Sequence, residues 1–102
     1  MSSKPARDGA ARPGVWVREL TIQNRYGIHA RPAALCVKTL SAFRADITIQ
    51  KGDMKVSGKS IMGLMTLEAG QGTVLRVIAE GPDGDKALDE LEKLVAHKFY
   101  ED

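Results

Sequence analysis

Three segments with helical periodicity alternate with runs rich in β-branched residues, and this order leaves few possible folds. The clearest helix is predicted in the last segment, "GPDGDKALDELEKLVAHKFYED", where Asp83 or Asp85 can cap the start. Its apolar residues recur at helical spacing and form one stripe, which consists of Ala87, Leu88, Leu91, Leu94 and Val95. A helix of this kind must bury its stripe against another layer of the protein.

Two further helices are predicted upstream. The segment "ARPAALCVKTLSAF" accommodates Pro32 in the first helical turn, where a missing N–H group costs nothing. Its apolar residues have the spacing i, i+3, i+4 and i+7 of an amphipathic helix: Ala33, Cys36, Val37 and Leu40. In "SIMGLMTLEAG", Ser60 is a suitable N-cap, and Gly63 limits the stability of what can only be a short helix.

Four other runs are predicted to be β-strands. "VWVRELTIQ" and "TVLRVIAE" are rich in β-branched residues. Between them, "ADITIQ" and "MKVS" flank a "KGD" turn, and a hairpin there requires antiparallel pairing. The resulting order is β-α-β-β-α-β-α. We therefore predict an α+β open-faced sandwich, in which a four-stranded antiparallel sheet is covered on one face by three helices.

The chain has 102 residues, which is enough for one compact domain and not for two. We expect residues 14–102 to form this domain. Residues 1–13, "MSSKPARDGAARP", are rich in Ala, Gly, Pro and charge, and we expect them to be a flexible arm. The arm lacks the apolar segment of a secretory signal, and no apolar run approaches the ~20 residues of a membrane-spanning helix.

Composition argues against several other classes of protein. The single cysteine permits no intrachain disulfide, and without a secretory signal we expect a reducing cytoplasm. Cys36 lies on an apolar stripe and should serve as buried filler. The formal net charge of +2 argues against nucleic acid as the main partner. The two histidines are far apart and no metal-ligand spacing appears, so we predict neither a metal nor a cofactor.

The stretch "NRYGIHARPAALCV" places His29 at the start of the first predicted helix. A helix start leaves N–H groups unsatisfied and has a partial positive charge, so it can bind an anion. Pro32 lacks an N–H group, so the nearest donors belong to Ala30 and Arg31, and the guanidinium of Arg31 adds a fork suited to phosphate. These groups oppose protonation of the ring and favour a neutral, nucleophilic imidazole. The stretch suits a histidine that accepts a phosphoryl group and releases it again.

Each of these residues also has a purely structural interpretation. His29 can be an ordinary polar residue at a helix start, and Arg31 can be a solvated surface charge. Asn24 and Gly27 are common turn formers. His97 falls near the end of the last helix, where the helix dipole tolerates a cation. The residue pattern of this stretch, taken alone, leaves its function open.

The segment "VSGKSIMGLMTLEAGQG" contains more apolar residues than a short helix can bury. We predict that Leu64 and Leu67 face the core. The remaining apolar side chains should be at least partly exposed and form an adaptable docking patch, which consists of Ile61, Met62 and Met65.

"GIHARPA", followed about thirty residues later by "GKSIMGLMTL", closely resembles the histidine-containing phosphocarrier proteins of the bacterial phosphotransferase system, the HPr/NPr family. The resemblance covers roughly residues 16–97, and the two motifs at this spacing are highly specific. It implies the element order given above. It also implies a phosphoryl carrier, with partner enzymes performing the turnover, rather than an enzyme.

The resemblance assigns roles to individual residues. His29 corresponds to the histidine that enzyme I phosphorylates on Nδ1 at the expense of phosphoenolpyruvate, and Arg31 to the arginine that helps the phosphoryl group to move. Ser60 corresponds to a serine that an ATP-dependent kinase, HPr kinase/phosphorylase, modifies in many bacteria. The docking patch would meet partner surfaces, and Lys38 and Lys59 would favour acidic ones.

The implied partners are enzyme I and an EIIA-type acceptor domain, and we expect a cytoplasmic monomer that neither inserts into a membrane nor binds nucleic acid. The acceptor could belong to a sugar-transport branch or to a nitrogen-related branch. Tyr26 should pack near His29 and influence access to it. Two other functions stay open: an acylphosphatase-like hydrolase, with Arg31 and Asn24 as a phosphate cradle, and a nucleic-acid-binding module that uses the basic arm and the sheet.

Overall fold

The computed structural model describes residues 10–101 and contains one antiparallel sheet with helices on one face. The strands are β1 (Ala10–Arg12), β2 (Val15–Thr21), β3 (Asp46–Lys51), β4 (Met54–Ser57) and β5 (Val74–Glu80). The helices are α1 (Ala30–Leu40), α2 (Ile61–Thr66) and α3 (Gly84–Ala96), and a 3₁₀ turn follows at Lys98–Tyr100. The order β-α-β-β-α-β-α predicted from Val15 onward is confirmed.

The sheet has one strand more than the four predicted, and its strand order is β1-β2-β5-β3-β4. β1 pairs with the edge of β2, and the turn between them passes through Gly14 at φ +80°. Residues 10–12 belong to the stretch that we expected to be an arm, whereas residues 1–9 lie outside the described residues. The sequence did not indicate β1 because this stretch lacks the β-branched residues that favour strands.

The core lies between the sheet and the helices, and the predicted stripes face it. Buried residues include Ala33, Cys36 and Leu40 of α1, Leu64 of α2, and Ala87, Leu88, Leu91, Leu94 and Val95 of α3. Burial raises the pKa of the Cys36 thiol to about 12, so the thiol stays protonated at neutral pH and fills space as expected. No helix in the part of the chain that the structure describes is long and apolar enough to span a membrane.

A charged side chain ties α3 to the sheet. The guanidinium of Arg18, on β2, lies 2.9 Å from Asp89 and 2.8 Å from Glu92, and its side chain is only 10% exposed. Arg18 is on the helix-facing side of β2 with Trp16 and Leu20, both of which contact the core. The start of α3 is tied separately, because the Asp83 carboxylate accepts hydrogen bonds from the N–H groups of the segment before β3.

The loop between β2 and α1 is fixed by the loop that follows α2. The Ile22 carbonyl accepts a 2.8 Å hydrogen bond from Gly72 N–H, and Ile28 N–H donates to the Ala69 carbonyl at 2.9 Å. Gly27 has φ +68°, and a Cβ atom at this position would lie 2.2 Å from the Ala69 carbonyl oxygen. A glycine is therefore required where the loop turns toward His29.

Candidate phosphoryl-transfer site

His29 occupies the N-cap position of α1, with extended backbone angles of φ −95° and ψ −165°. Its carbonyl accepts the first bond of the helix, from Ala33 N–H at 3.0 Å, but its side chain makes no capping hydrogen bond. The N–H groups of Ala30 and Arg31 precede that bond and have no acceptor within the helix. The helix start is thus left available to an anion beside the imidazole.

The imidazole of His29 is accessible, with 44% of its side chain exposed. The ring of Tyr26 lies edge-on to it at a centroid distance of 6.5 Å and an interplanar angle of 83°. The guanidinium carbon of Arg25 lies 5.5 Å from the centre of the Tyr26 ring. The position expected for Tyr26 is therefore confirmed, and this side chain borders one approach to the histidine.

A carboxylate that the sequence did not indicate contacts the imidazole at Nε2. Both carboxylate oxygens of Glu101 lie 3.1 Å from His29 Nε2. Nδ1 has no hydrogen-bond partner among the described residues. The structure therefore adds an anion at Nε2 to the positive groups that the sequence indicated, while Nδ1 stays free of side-chain partners among the described residues.

The buried amide of Asn24 holds this carboxylate in place. Asn24 Nδ2 donates to the Gly27 carbonyl at 2.8 Å and to Glu101 Oε1 at 2.9 Å. The bond from Asn24 is the main cause that lowers the pKa of the Glu101 carboxyl, and the contact with His29 and the charge of Arg31 lower it further, against the opposing effect of burial. Glu101 is therefore a carboxylate at neutral pH, and Asn24 is more than the turn former that its sequence context suggested.

An unusual backbone turn brings Glu101 to the histidine. Lys98, Phe99 and Tyr100 all have left-handed backbone angles, with φ of 54°, 55° and 60°. Such angles cost a residue with a side chain roughly 1–2 kcal/mol each, and burial of Phe99 in the core helps to offset that cost. The turn reverses the chain after α3, so that Glu101 reaches Asn24. The only signal in the sequence is a phenylalanine beyond the last predicted apolar stripe.

Of the basic residues singled out from the sequence, only Arg31 lies in the site. Arg31 is exposed in the first turn of α1, near enough to influence Glu101 electrostatically. Lys38 is exposed in the last turn, about 13 Å from His29 along the helix axis. The ammonium group of Lys59 donates to the Phe43 carbonyl at 2.7 Å and serves the fold.

The predicted division of α2 into inward and outward residues is confirmed. Leu64 and Leu67 are buried, whereas the docking patch is exposed, with values of 41% for Ile61, 73% for Met62 and 39% for Met65. Ser60 is the N-cap of α2, and its Oγ accepts a 3.0 Å hydrogen bond from Gly63 N–H. α2 packs against α1, so the patch belongs to the same layer as His29.

The site gives no support to a hydrolase cradle formed by Arg31 and Asn24. Asn24 is fully buried, and the two hydrogens of its amide are used by Gly27 and Glu101.

Residues 10–101 contain no group of three or more histidine, cysteine, aspartate or glutamate side chains that could hold a metal ion.

Comparison with known proteins identifies the class. The family described as PTS HPr component phosphorylation site matches residues 17–97. Phosphocarrier protein HPr of Treponema pallidum is 43% identical over 86 residues, which cover 84% of this chain and 98% of that protein. Phosphocarrier protein HPr of Xylella fastidiosa is 44% identical, covering 82% and 94%. Phosphocarrier protein NPr of Shewanella violacea is 43% identical, covering 82% and 92%.

Solved structures of HPr proteins have the same fold as this chain. A crystal structure of HPr from Thermoanaerobacter tengcongensis has a TM-score of 0.81 at 44% identity and covers 84% of this chain and 97% of its own. HPr from Bacillus anthracis has a TM-score of 0.76 at 38% identity, covering 79% and 96%. The fold and an exposed histidine at a helix start define a small phosphoryl-carrying domain. The chain belongs to the HPr family of phosphocarrier proteins of the phosphotransferase system, as the two sequence motifs indicated.

Proposed function

We propose that this phosphocarrier protein accepts a phosphoryl group on His29 from phosphorylated enzyme I and passes it to an EIIA-type acceptor domain. The supporting observation is the geometry at the start of α1. An exposed imidazole stands at a helix start without capping it, and the first N–H groups of that helix have no internal acceptor. These are the groups that a transferring phosphoryl needs for positioning and charge neutralisation.

In this proposal Nδ1 of His29 is the nucleophile, as the family resemblance implied, because Nε2 is engaged by Glu101. Arg31 stabilises the phosphoryl oxygens during transfer, with the N–H groups of the helix start. No cofactor is needed, because the phosphoryl group arrives on one protein and leaves on another. The protein is thus a carrier, and the partner enzymes perform the turnover.

We propose that partners dock on the exposed patch of α2, Ile61, Met62 and Met65. Methionine side chains are flexible and polarisable, which suits a surface that must fit both a donor and an acceptor. Lys38 and Lys59 would contribute only weakly to the attraction of acidic partner surfaces. Lys38 is remote from His29, and the ammonium of Lys59 is hydrogen-bonded to the Phe43 carbonyl. Contacts of this kind are transient and electrostatically steered.

Ser60 is proposed as a regulatory phosphorylation site for a kinase of the HPr kinase/phosphorylase type. A phosphate adds about −1.5 to −2 charges at pH 7. The start of α2 tolerates this charge, so little refolding is required. The charge would stand directly before Ile61 and Met62 and would oppose docking on an acidic partner.

We further propose that the phosphocarrier domain is residues 14–102, with β1 added at the edge of its sheet, and that it acts in the cytoplasm as a monomer. HPr of Treponema pallidum and NPr of Shewanella violacea are each 43% identical to this chain, so the sugar-transport and nitrogen-related branches both fit the proposal.

Phosphorylation by enzyme I and phosphoenolpyruvate tests the function directly. We expect a phosphate that is labile in acid and stable in base, absent from His29→Ala and retained by Ser60→Ala. An unlabelled wild-type protein, or equal labelling of His29→Ala, would overturn the proposal. Release of phosphate from small acyl phosphates without a partner would instead support a hydrolase, and salt-sensitive retention of RNA or DNA a nucleic-acid-binding module.

A further inference from the structure

We propose that Glu101 is a positioning residue for phosphoryl transfer, which selects, for the neutral form of the His29 imidazole, the tautomer with its proton on Nε2. This inference rests on the proposed function of His29 as the phosphoryl acceptor. It assigns a task to the segment after α3, which neither the sequence motifs nor the family match over residues 17–97 includes.

The contact at Nε2 fixes where the proton lies. Both oxygens of the Glu101 carboxylate are 3.1 Å from Nε2, and an ionised carboxylate can only accept hydrogen bonds. A neutral imidazole donates from one nitrogen and accepts at the other, so the proton must be on Nε2. The lone pair of Nδ1 is then free to attack phosphorus.

Three features prevent Glu101 from moving away. Asn24 is fully buried and donates to Glu101 Oε1 at 2.9 Å, and the same amide is fixed by the Gly27 carbonyl. The turn before Glu101 is anchored by the buried Phe99. The Glu101 side chain itself is only 12% exposed. A carboxylate held by partners of its own can orient a neighbouring ring.

The transfer step then needs no proton movement at the histidine. The lone pair of Nδ1 forms a bond to phosphorus, and the bond between phosphorus and the donor's leaving atom breaks, with its electron pair staying on the donor. The product ring carries phosphorus on Nδ1 and a proton on Nε2, and is therefore cationic. Glu101 faces this new positive charge across Nε2, and Arg31 is on the side of the helix start.

The variant Glu101→Gln tests the assignment because its amide presents a donor as well as an acceptor. Asn24 will still donate to the glutamine oxygen at the Oε1 position, which places the glutamine NH₂ group at the Oε2 position, 3.1 Å from Nε2. This NH₂ group competes with the oxygen for Nε2, so a larger share of the rings carries the proton on Nδ1, where it blocks the nucleophile. We expect the Nδ1–H tautomer to increase in ¹⁵N NMR spectra of the His29 ring, and phosphoryl acceptance to slow by a factor on the order of 10 to 100.

Two further variants separate positioning from a structural effect. Glu101→Ala removes the acceptor without introducing a donor, so its transfer rate should lie between those of Glu101→Gln and the wild type. Glu90→Gln changes a half-exposed carboxylate on α3 that contacts Lys93, and should leave both readouts unchanged. A loss of fold would not produce this rank order or a tautomer change confined to His29.

A wild-type tautomer and a wild-type rate in Glu101→Gln would overturn the inference. If wild-type protein is labelled by enzyme I and His29→Ala is not, the proposed function stands even though the role of Glu101 fails. If wild-type protein accepts no phosphoryl group at all, the proposed function fails. The NMR measurement on the unphosphorylated protein then still decides whether Glu101 fixes the proton.

Discussion

The N-cap residues of helices α1 and α2 have the same backbone conformation, but their side chains have opposite roles. His29 and Ser60 are both N-cap residues with extended backbone angles. The Ser60 oxygen accepts a 3.0 Å hydrogen bond from Gly63 N–H and satisfies its own helix. The His29 ring makes no such bond, is exposed, and is held from outside by Glu101. One side chain completes a helix, and the other leaves the helix start open.

The lengths of the two helices explain which of them can lack a cap. A side-chain cap contributes about 1 kcal/mol. α1 has 11 residues and buries a full stripe, so tertiary packing can replace that contribution. α2 has 6 residues and one buried residue, so it depends more strongly on Ser60. α1 can therefore do without a side-chain cap, and the proposed modification at α2 would act on a residue that the fold already uses.

The largest expected effect comes from giving α1 the kind of cap that α2 has. In His29→Ser, the nucleophile is lost, and we expect phosphoryl acceptance to fall by roughly 10³-fold or more. The hydroxyl can accept from Arg31 N–H, so the free energy of unfolding should rise by up to about 1 kcal/mol. Enzyme I labelling and urea denaturation measure the two quantities. A clear loss of stability would show that the His29 ring supports the helix after all.

The next effect concerns the charge at the open helix start. Arg31→Ala should slow phosphoryl acceptance by a factor on the order of 10 to 100, because a donor to the transferring group is lost. Rapid-quench kinetics with phosphorylated enzyme I measure this rate. Lys38→Ala is the matched control, since it removes the same charge from the far end of α1. Equal effects of the two variants would indicate general electrostatic steering rather than a role at His29.

The capped helix should show the reverse behaviour. Ser60→Ala is expected to lower the free energy of unfolding by about 1 kcal/mol and to leave phosphoryl acceptance by His29 unchanged. Ser60→Asp retains a cap acceptor, so its stability should remain near that of the wild type, but its charge should weaken docking of enzyme I. If Ser60→Ala slows transfer as much as Ser60→Asp does, the hydroxyl has a role beyond capping.

Local patterns predicted most of the fold and half of the site. The spacing of Ala33, Cys36 and Leu40 places one face of α1 against the core, and that spacing is visible in the sequence. The cap at Ser60 and the exposure of Met62 follow from equally local rules. His29 was singled out because its neighbours along the chain define a helix start, and the resemblance to the HPr/NPr family then assigned it the role of phosphoryl acceptor.

The other half of the site depends on long-range contacts. Glu101 is 77 positions from Asn24 and reaches it only through three successive left-handed residues. None of these is glycine or asparagine, so nothing in the sequence marks the turn. The hydrogen bond of Lys59 was invisible in the sequence for a similar reason, because its acceptor, the Phe43 carbonyl, is 16 positions away. Pairings of this kind depend on tertiary packing rather than on periodicity.

The smallest expected effect separates docking from chemistry. Met62 is 73% exposed on α2, and Met54 is 48% exposed at the β3–β4 turn. In Met62→Ala we expect KM for transfer from enzyme I to rise roughly threefold at unchanged kcat, because one partly buried contact of a transient interface is lost. Met54→Ala should leave KM unchanged. A fall in kcat instead would mean that Met62 helps to orient the phosphoryl group at His29, and the division of labour between α1 and α2 would then be wrong.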